Sequence, residues 1–308
     1  MRFAVEVWSD RWEAIERTAR LVERLRYDAL YYGESPTGLN LDCWSVLAAL
    51  ARSTRSLRLG PVITNLLPGY RSLALLAKQA ATVAILTGGR LDFRTGAGAA
   101  RRYAACWWEP FGIGYPDYGE RLALVDRAMP LLRALWAGEP TTLAGGGAQE
   151  SVTLGFRPPP IPITLAASGR AGIACAARHA DVWEASYRTP AEFAELSARF
   201  AAEPVGARPA VVRALEVDVF IGMDAARAGA VLSRVREERP PEQVDHVVER
   251  SLHGTPEQVA AQLAGLAEVG VEQLLLAFHD PHDAEALEAF AEAMDVFASA
   301  SRRGSGTG

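Results

Sequence analysis

The chain predicts an α/β fold: a single-domain (β/α)8 TIM barrel with insertions. Three observations lead there. Eight short apolar runs alternate with helical segments along 308 residues. Few of those runs alternate in polarity, as expected of parallel strands buried on both faces. No Pro/Gly/Ser-rich linker divides the chain, and hydrophobic residues form 49% of it, so one large core can form. The expected domain spans residues 1–300, and a disordered tail follows over 301–308.

The elements follow in order. Arg2-Phe3-Ala4-Val5-Glu6-Val7-Trp8 reads as a first strand. Asp10 is placed to cap a helix to about Arg26, with Trp12, Ile15, Ala19, Leu21, Val22 and Leu25 on its apolar face. Ala29–Tyr32 is a second strand ending at Glu34-Ser35-Pro36, and Leu41–Arg52 a helix. Leu57–Ile63 forms a third strand, Ser72–Leu86 a helix, and a fourth strand then runs into Gly96-Ala97-Gly98. Glycine there permits a close backbone approach or a positive φ. Tyr118–Trp136 is helical, and residues 141–157 read as an insertion with short strand character. Ile161–Leu165 is a buried strand, Gly169–Arg178 a helix, Ala180–Trp183 a strand, and Thr189–Ala202 a helix opened by Thr-Pro. Val211–Met223 is a long strand, and residues 224–252 are polar and helical. Thr255-Pro256-Glu257 starts a helix, Val271–Phe278 is the last strand, and Pro281–Ala298 the last helix.

Composition excludes several classes. A net charge of -5 opposes a nucleic-acid-binding role. Arginine supplies 31 of the 32 basic residues, Lys78 being the one lysine, a skew that matches a GC-rich genome. Cys43, Cys106 and Cys175 lie far apart, with no CxxC and no His partner spacing, so neither zinc nor a disulfide framework is expected. No basic leader precedes an apolar core and no apolar run reaches membrane-spanning length, so a cytoplasmic protein without membrane contact is expected.

Several ordered blocks resemble the bacterial luciferase-like superfamily of flavin- and F420-dependent oxidoreductases. They are Tyr27–Glu34 (Tyr-Asp-Ala-Leu-Tyr-Tyr-Gly-Glu), Leu59–Asn65 (Leu-Gly-Pro-Val-Ile-Thr-Asn) and Gly88–Phe93 (Gly-Gly-Arg-Leu-Asp-Phe) with Gly96 and Gly98. Pro110-Phe111-Gly112, Glu120-Arg121, Leu135–Gly138, Ala166–Gly169, His179–Trp183 and Gly254–Val259 follow. The resemblance covers nearly the whole chain. It implies a TIM barrel, often a homodimer, that binds FMN or the deazaflavin F420 at the C-terminal ends of the strands.

Residue by residue, the resemblance implies a site. Ser168, Gly169, Arg170 and Ala171, at a strand-to-helix turn, would anchor the cofactor phosphate through helix N–H groups, a hydroxyl and a guanidinium; a plain helix cap by Ser168 is the other reading. Val62-Ile63 lies where the family carries a non-proline cis peptide beneath the ring, and Thr64 and Asn65 follow it. Gly96 and Ala97 complete the cofactor wall. The family's supporting arginine is replaced by Ala97, leaving Arg94, Arg101 or Arg102 as substitutes. Glu34 keeps an acid at its strand end, but Ser35 stands where the family has histidine. A hydroxyl is a poor general acid/base, so Glu34 and His279 are the catalytic candidates, with His253 and Tyr32 behind them. Ser35, Glu184, Trp107 and Trp108 are candidate substrate contacts, the tryptophans on a long loop after the fourth strand.

Three functions follow from the resemblance, in this order. The first is an FMN-dependent monooxygenase, supplied with reduced FMN by a separate flavin reductase, that oxygenates a small organic, aromatic or polycyclic substrate with O2. No dinucleotide fingerprint follows a strand, in keeping with an external reductant. The second is an F420-dependent hydride-transfer enzyme, favoured by Thr64-Asn65 but lacking the His-Pro that usually follows; Gly69-Tyr70 stands there. The third is a non-catalytic luciferase-like subunit.

Overall fold

The computed structural model describes residues 1–143, 151–204 and 210–304. Its first half runs β1 (Arg2–Val7), α1 (Trp12–Arg24), β2 (Ala29–Gly33), α2 (Cys43–Ser53), β3 (Arg58–Val62), α3 (Leu73–Leu86), β4 (Phe93–Gly96), α4 (Arg101–Trp108) and α5 (Tyr118–Trp136). A short antiparallel pair, β5 (Thr141–Thr142) and β6 (Ser151–Val152), precedes β7 (Ile163–Ala166), α6 (Arg170–His179), β8 (Val182–Ser186) and α7 (Pro190–Ala201). The chain ends β9 (Val212–Ile221), α8 (Ala225–Glu238), α9 (Pro241–Glu249), β10 (Ser251–Gly254), α10 (Pro256–Glu268), β11 (Gln273–Phe278) and α11 (Ala284–Gly304).

Eight strands form the ring, in the order β3-β2-β1-β11-β9-β8-β7-β4, with every neighbouring pair parallel. Bridges Leu59–Leu91 and Thr64–Thr95 join β3 to β4 and close it. The (β/α)8 expectation holds.

Alternation along each strand divides the interior in two. Phe3, Val5, Val7, Leu30, Leu215, Val217, Leu274 and Leu276 point outward into one core shared with the helices. Trp183 belongs to it, fully buried and stacked on Phe193 and Phe200 of α7 at 5.7 and 4.8 Å. The inward positions form a separate cluster of Ala4, Ala29, Tyr31, Val62 and Leu275, with Trp8 packed on it. Above these lie charged groups.

Helix starts follow local chemistry. Thr189 with Glu192, and Thr255 with Gln258, close capping boxes, each with proline in the first turn. Asp10 does not cap α1: Arg11 holds that position without a side-chain bond. Two elements differ from expectation. Residues 251–252, expected to end a helical stretch, instead begin β10, which pairs with β9 over Asp218–Ile221. Trp107 and Trp108 lie on helix α4 instead of a loop. Residues 144–150 of the expected insertion lie outside the described residues, as do 305–308 of the expected tail, while α11 continues to Gly304.

Candidate active site

All site elements lie at the C-terminal ends of the ring strands, where barrel loops converge. Glu34 follows β2 and is 2% exposed. Its Oε1 accepts from Trp44 Nε1 at 3.1 Å and pairs with Arg71 at 2.8 Å, while Oε2 accepts the Asn65 N–H at 2.9 Å. Burial raises its pKa to about 7 against the lowering effects of Arg71 and these hydrogen bonds. Arg71 also stacks over Tyr70, which meets Trp108 edge-on.

Inside the ring, one cation faces three carboxylates. Arg94 and Glu184 are fully buried, and the guanidinium donates to both Glu184 oxygens at 2.5 Å. Arg94 also lies over the Tyr31 ring at 4.2 Å. Glu216 accepts from the Tyr187 hydroxyl at 2.8 Å. Tyr187 stands just past β8 with φ 54°, an uncommon backbone for a residue with a side chain. Glu6, on β1, accepts from Trp8 Nε1 on one oxygen; its other oxygen, Oε2, is buried with no partner among the described residues. Burial first, and the neighbouring Glu216 second, raise its pKa to about 8. At neutral pH burial and the neighbouring Glu216 therefore favour the protonated form of Glu6, which is 9% exposed.

The opposite wall is built for close approach. The Val62–Ile63 peptide is cis, and Asn65 Nδ2 donates to the Ile63 carbonyl at 2.9 Å. Thr64 Oγ1 is buried without a partner among the described residues. A Cβ at Gly96 would stand 2.9 Å from the Ala166 carbonyl, and Gly98 has φ +72° beside the Tyr115 hydroxyl. Beside this wall, after the neighbouring strand β7, α6 starts from Gly169 with no side-chain cap. Ser168 therefore does not cap it, Gly169 and Arg170 are exposed, and the first-turn N–H groups have no side-chain cap. An orphaned hydroxyl, a glycine-lined wall and an uncapped helix start together fit a flat, phosphate-bearing cofactor.

Other expected residues sit differently. Glu184 is held inside the ring by Arg94, without an oxygen to spare for a substrate at the mouth. Arg94 itself is in the lumen, and Arg101 is spent on the Tyr115 carbonyl and Glu109, so neither supports a phosphate. Ser35 closes a local turn with Thr37, accepting its N–H at 3.0 Å. Trp108 is buried with Leu67, Ala104, Ile113 and Tyr115, whereas Trp107 is 40% exposed. His279 stands at the rim, 3.5 Å from Glu238; burial raises the pKa of the neighbouring Asp218 to about 6, against the lowering effects of Arg239 and His279.

Sequence reading passed over Glu6, Trp44, Arg71 and Glu216. It quoted Arg121 without a role. This arginine is 3% exposed and bonds the carbonyls of Ala97 and Ala99 at 2.5 and 2.8 Å, fixing the loop after β4. A signal was present: Glu6, Arg94, Glu184, Glu216 and Asp218 are charges placed within strands that are otherwise largely apolar.

Comparison with known proteins agrees with the barrel fold. The sequence pattern of the luciferase-like monooxygenase family matches residues 4–273. An F420-dependent hydroxymycolic acid dehydrogenase of Mycobacterium tuberculosis is 31% identical over 208 residues, 66% of this chain and 56% of that protein. A 5,10-methylenetetrahydromethanopterin reductase of Methanolobus tindarius is 28% identical over 277 residues, 86% of this chain and 78% of that one. Against relatives with F420 in their names, the matched stretch spans 39% to 56% of their length. Among solved structures, the EDTA monooxygenase of Chelativorans sp. BNC1 superposes with a TM-score of 0.79 at 15% identity, covering 98% of this chain and 94% of that one. The relatives are named as dehydrogenases and reductases, the structural neighbours also as monooxygenases. With a matching pattern over most of its length and a shared barrel, this chain belongs to the luciferase-like monooxygenase family.

Proposed function

We propose that the chain catalyses F420-dependent hydride transfer between the deazaflavin and a small organic carbonyl, alcohol or imine, with Glu6 as the proton donor. The observation that carries the reading is the buried Glu6 carboxyl, whose Oε2 has no partner among the described residues and whose pKa burial raises to about 8. Reducing a C=O or C=N bond takes a hydride on carbon and a proton on the heteroatom, and Glu6 supplies the second. The names of the relatives support F420 over FMN, the cofactor put first from sequence.

F420, when bound, supplies or takes up the hydride. The N-terminal turn of α6, with Ser168, Gly169, Arg170 and Ala171, would hold its phosphate, and Val62, Ile63, Thr64, Asn65, Gly96 and Ala97 would line its ring. Arg94 neutralises Glu184, leaving the proton on Glu6. Glu216, held by the Tyr187 hydroxyl, lies between this acid and the half-exposed Tyr187 rim. In the oxidising direction the Glu6 carboxylate takes the proton back. Glu34, buried against Trp44 and Arg71, is a second acid at the rim. A flavin reductase has no part in this reading. The expected homodimer remains, with exposed Leu75, Ile85 and Leu86 on α3 offering apolar surface.

The test is a panel of secondary alcohols, ketones and cyclic imines, assayed anaerobically with oxidised or reduced F420. The expected result is deazaflavin reduction or reoxidation with at least one member. Activity that needs FMN, a reductase and O2, with none from F420, contradicts the proposal.

A further inference from the structure

Away from the mouth, α5 and α6 bring three different donor groups to one point. Cys175 and His179 lie one helical turn apart on α6, so both side chains share a face. Asp126 of α5 meets them there. His179 Nε2 is 2.9 Å from Asp126 Oδ1, and the thiol, imidazole and carboxylate atoms all lie within 4.8 Å of one another. Cys175 is 1% exposed, and its thiol also hydrogen-bonds Asp126. The Arg178 guanidinium holds the same Oδ1 at 2.6 Å.

We propose that Asp126, Cys175 and His179 form a site for a thiophilic divalent cation of the zinc class, with water completing its coordination. Sulfur, imidazole nitrogen and carboxylate oxygen are the donors zinc takes, and about 2.0–2.3 Å from a shared metal they would stand roughly 3.3–3.7 Å apart. The present spacing needs small side-chain adjustments to reach that. Arg178 stays on Oδ1 and orients the carboxylate, so Oδ2 turns to the metal. On binding, the thiol loses its proton to solvent and a sulfur–metal bond replaces the S–H bond, with no change of oxidation state. Thiolate and carboxylate together then balance the two charges of the cation. The sequence reading missed this because Cys175-x3-His179 is ligand spacing only on a helix, and the third donor is 49 positions away on another.

The probe is Co2+ added to the full-length, chelator-treated protein under reducing conditions. The expected spectrum has a near-ultraviolet thiolate-to-cobalt band and visible bands of a four-coordinate centre, saturating at one equivalent and displaced by Zn2+. Cys175→Ser abolishes the near-ultraviolet band, His179→Gln weakens Co2+ binding at least tenfold, and Cys106→Ser changes neither. Circular dichroism checks folding; should C175S not fold, H179Q and Asp126→Asn carry the test. No thiolate band at a large excess of Co2+, or a band that survives C175S, H179Q or D126N and is lost in C106S, overturns the proposal. F420 binding is unchanged in all these variants, so this result and that of the proposed function are read separately.

Discussion

The barrel has two interiors of opposite character. Between strands and helices, Leu276, Val217, Trp183, Phe193 and Phe290 pack in an apolar shell with essentially no exposure. Within the ring, the same strands present Glu6, Arg94, Glu184 and Glu216, with an apolar cluster around Tyr31 and Leu275 below them. Burying a charge costs far more than burying a leucine unless it is paired. The shell therefore supplies stability, and the lumen sets out charge where chemistry at the mouth can use it. A strand position one residue along belongs to one region or the other.

Five substitutions would break or sharpen that division, from the largest effect to the smallest. Glu6→Gln keeps the shape of the protonated acid and removes its proton, so turnover falls about 10²–10⁴-fold while F420 affinity holds; steady-state kinetics on a screened carbonyl decides it. In the wild type, carbonyl reduction declines as pH rises through about 8, where Glu6 loses its proton. The folded state raises this acid above its ordinary 4.5, so its contribution to stability is complete below pH 4.5 and lost as pH rises to 8. Denaturation series at several pH values should show a flatter profile for E6Q. Arg94→Met leaves Glu184 buried and unpaired, at a cost of about 3–5 kcal/mol by denaturant titration.

Leu276→Ala, in the outer shell, costs about 2–5 kcal/mol but leaves F420 affinity unchanged; a large affinity loss would erase the distinction between the two interiors. Ser168→Asp puts an anion at the uncapped start of α6 and weakens F420 binding about tenfold, roughly 1.4 kcal/mol, with stability kept. Ser35→Ala changes stability by no more than about 0.5 kcal/mol and turnover by less than about twofold, because the hydroxyl serves a surface turn.

The outer shell was legible in the sequence because its strands read as continuous apolar runs, as in Phe3-Ala4-Val5 and Leu274-Leu275-Leu276, and its helices carry an apolar face, as in Ile15, Ala19 and Val22. So was the start of α7, where Thr189-Pro190 carries its own capping chemistry. Tertiary placement was not. Glu184 reads as a strand-end acid, and only the ring shows it paired with Arg94, 90 residues away. The four residues of β10 are too few to show a period and become a strand by pairing with β9. Trp107 and Trp108 are adjacent in sequence, yet α4 turns one out and buries the other. Arg71 reaches Glu34 across two loops that no local pattern joins.

The most direct test of the account is a paired anaerobic titration of the apoprotein with F420 and with FMN, followed by deazaflavin fluorescence and flavin absorbance. The account predicts saturable F420 binding at least tenfold tighter than FMN, weakened by S168D and kept in E6Q. Tight FMN binding with no response to F420 would contradict it.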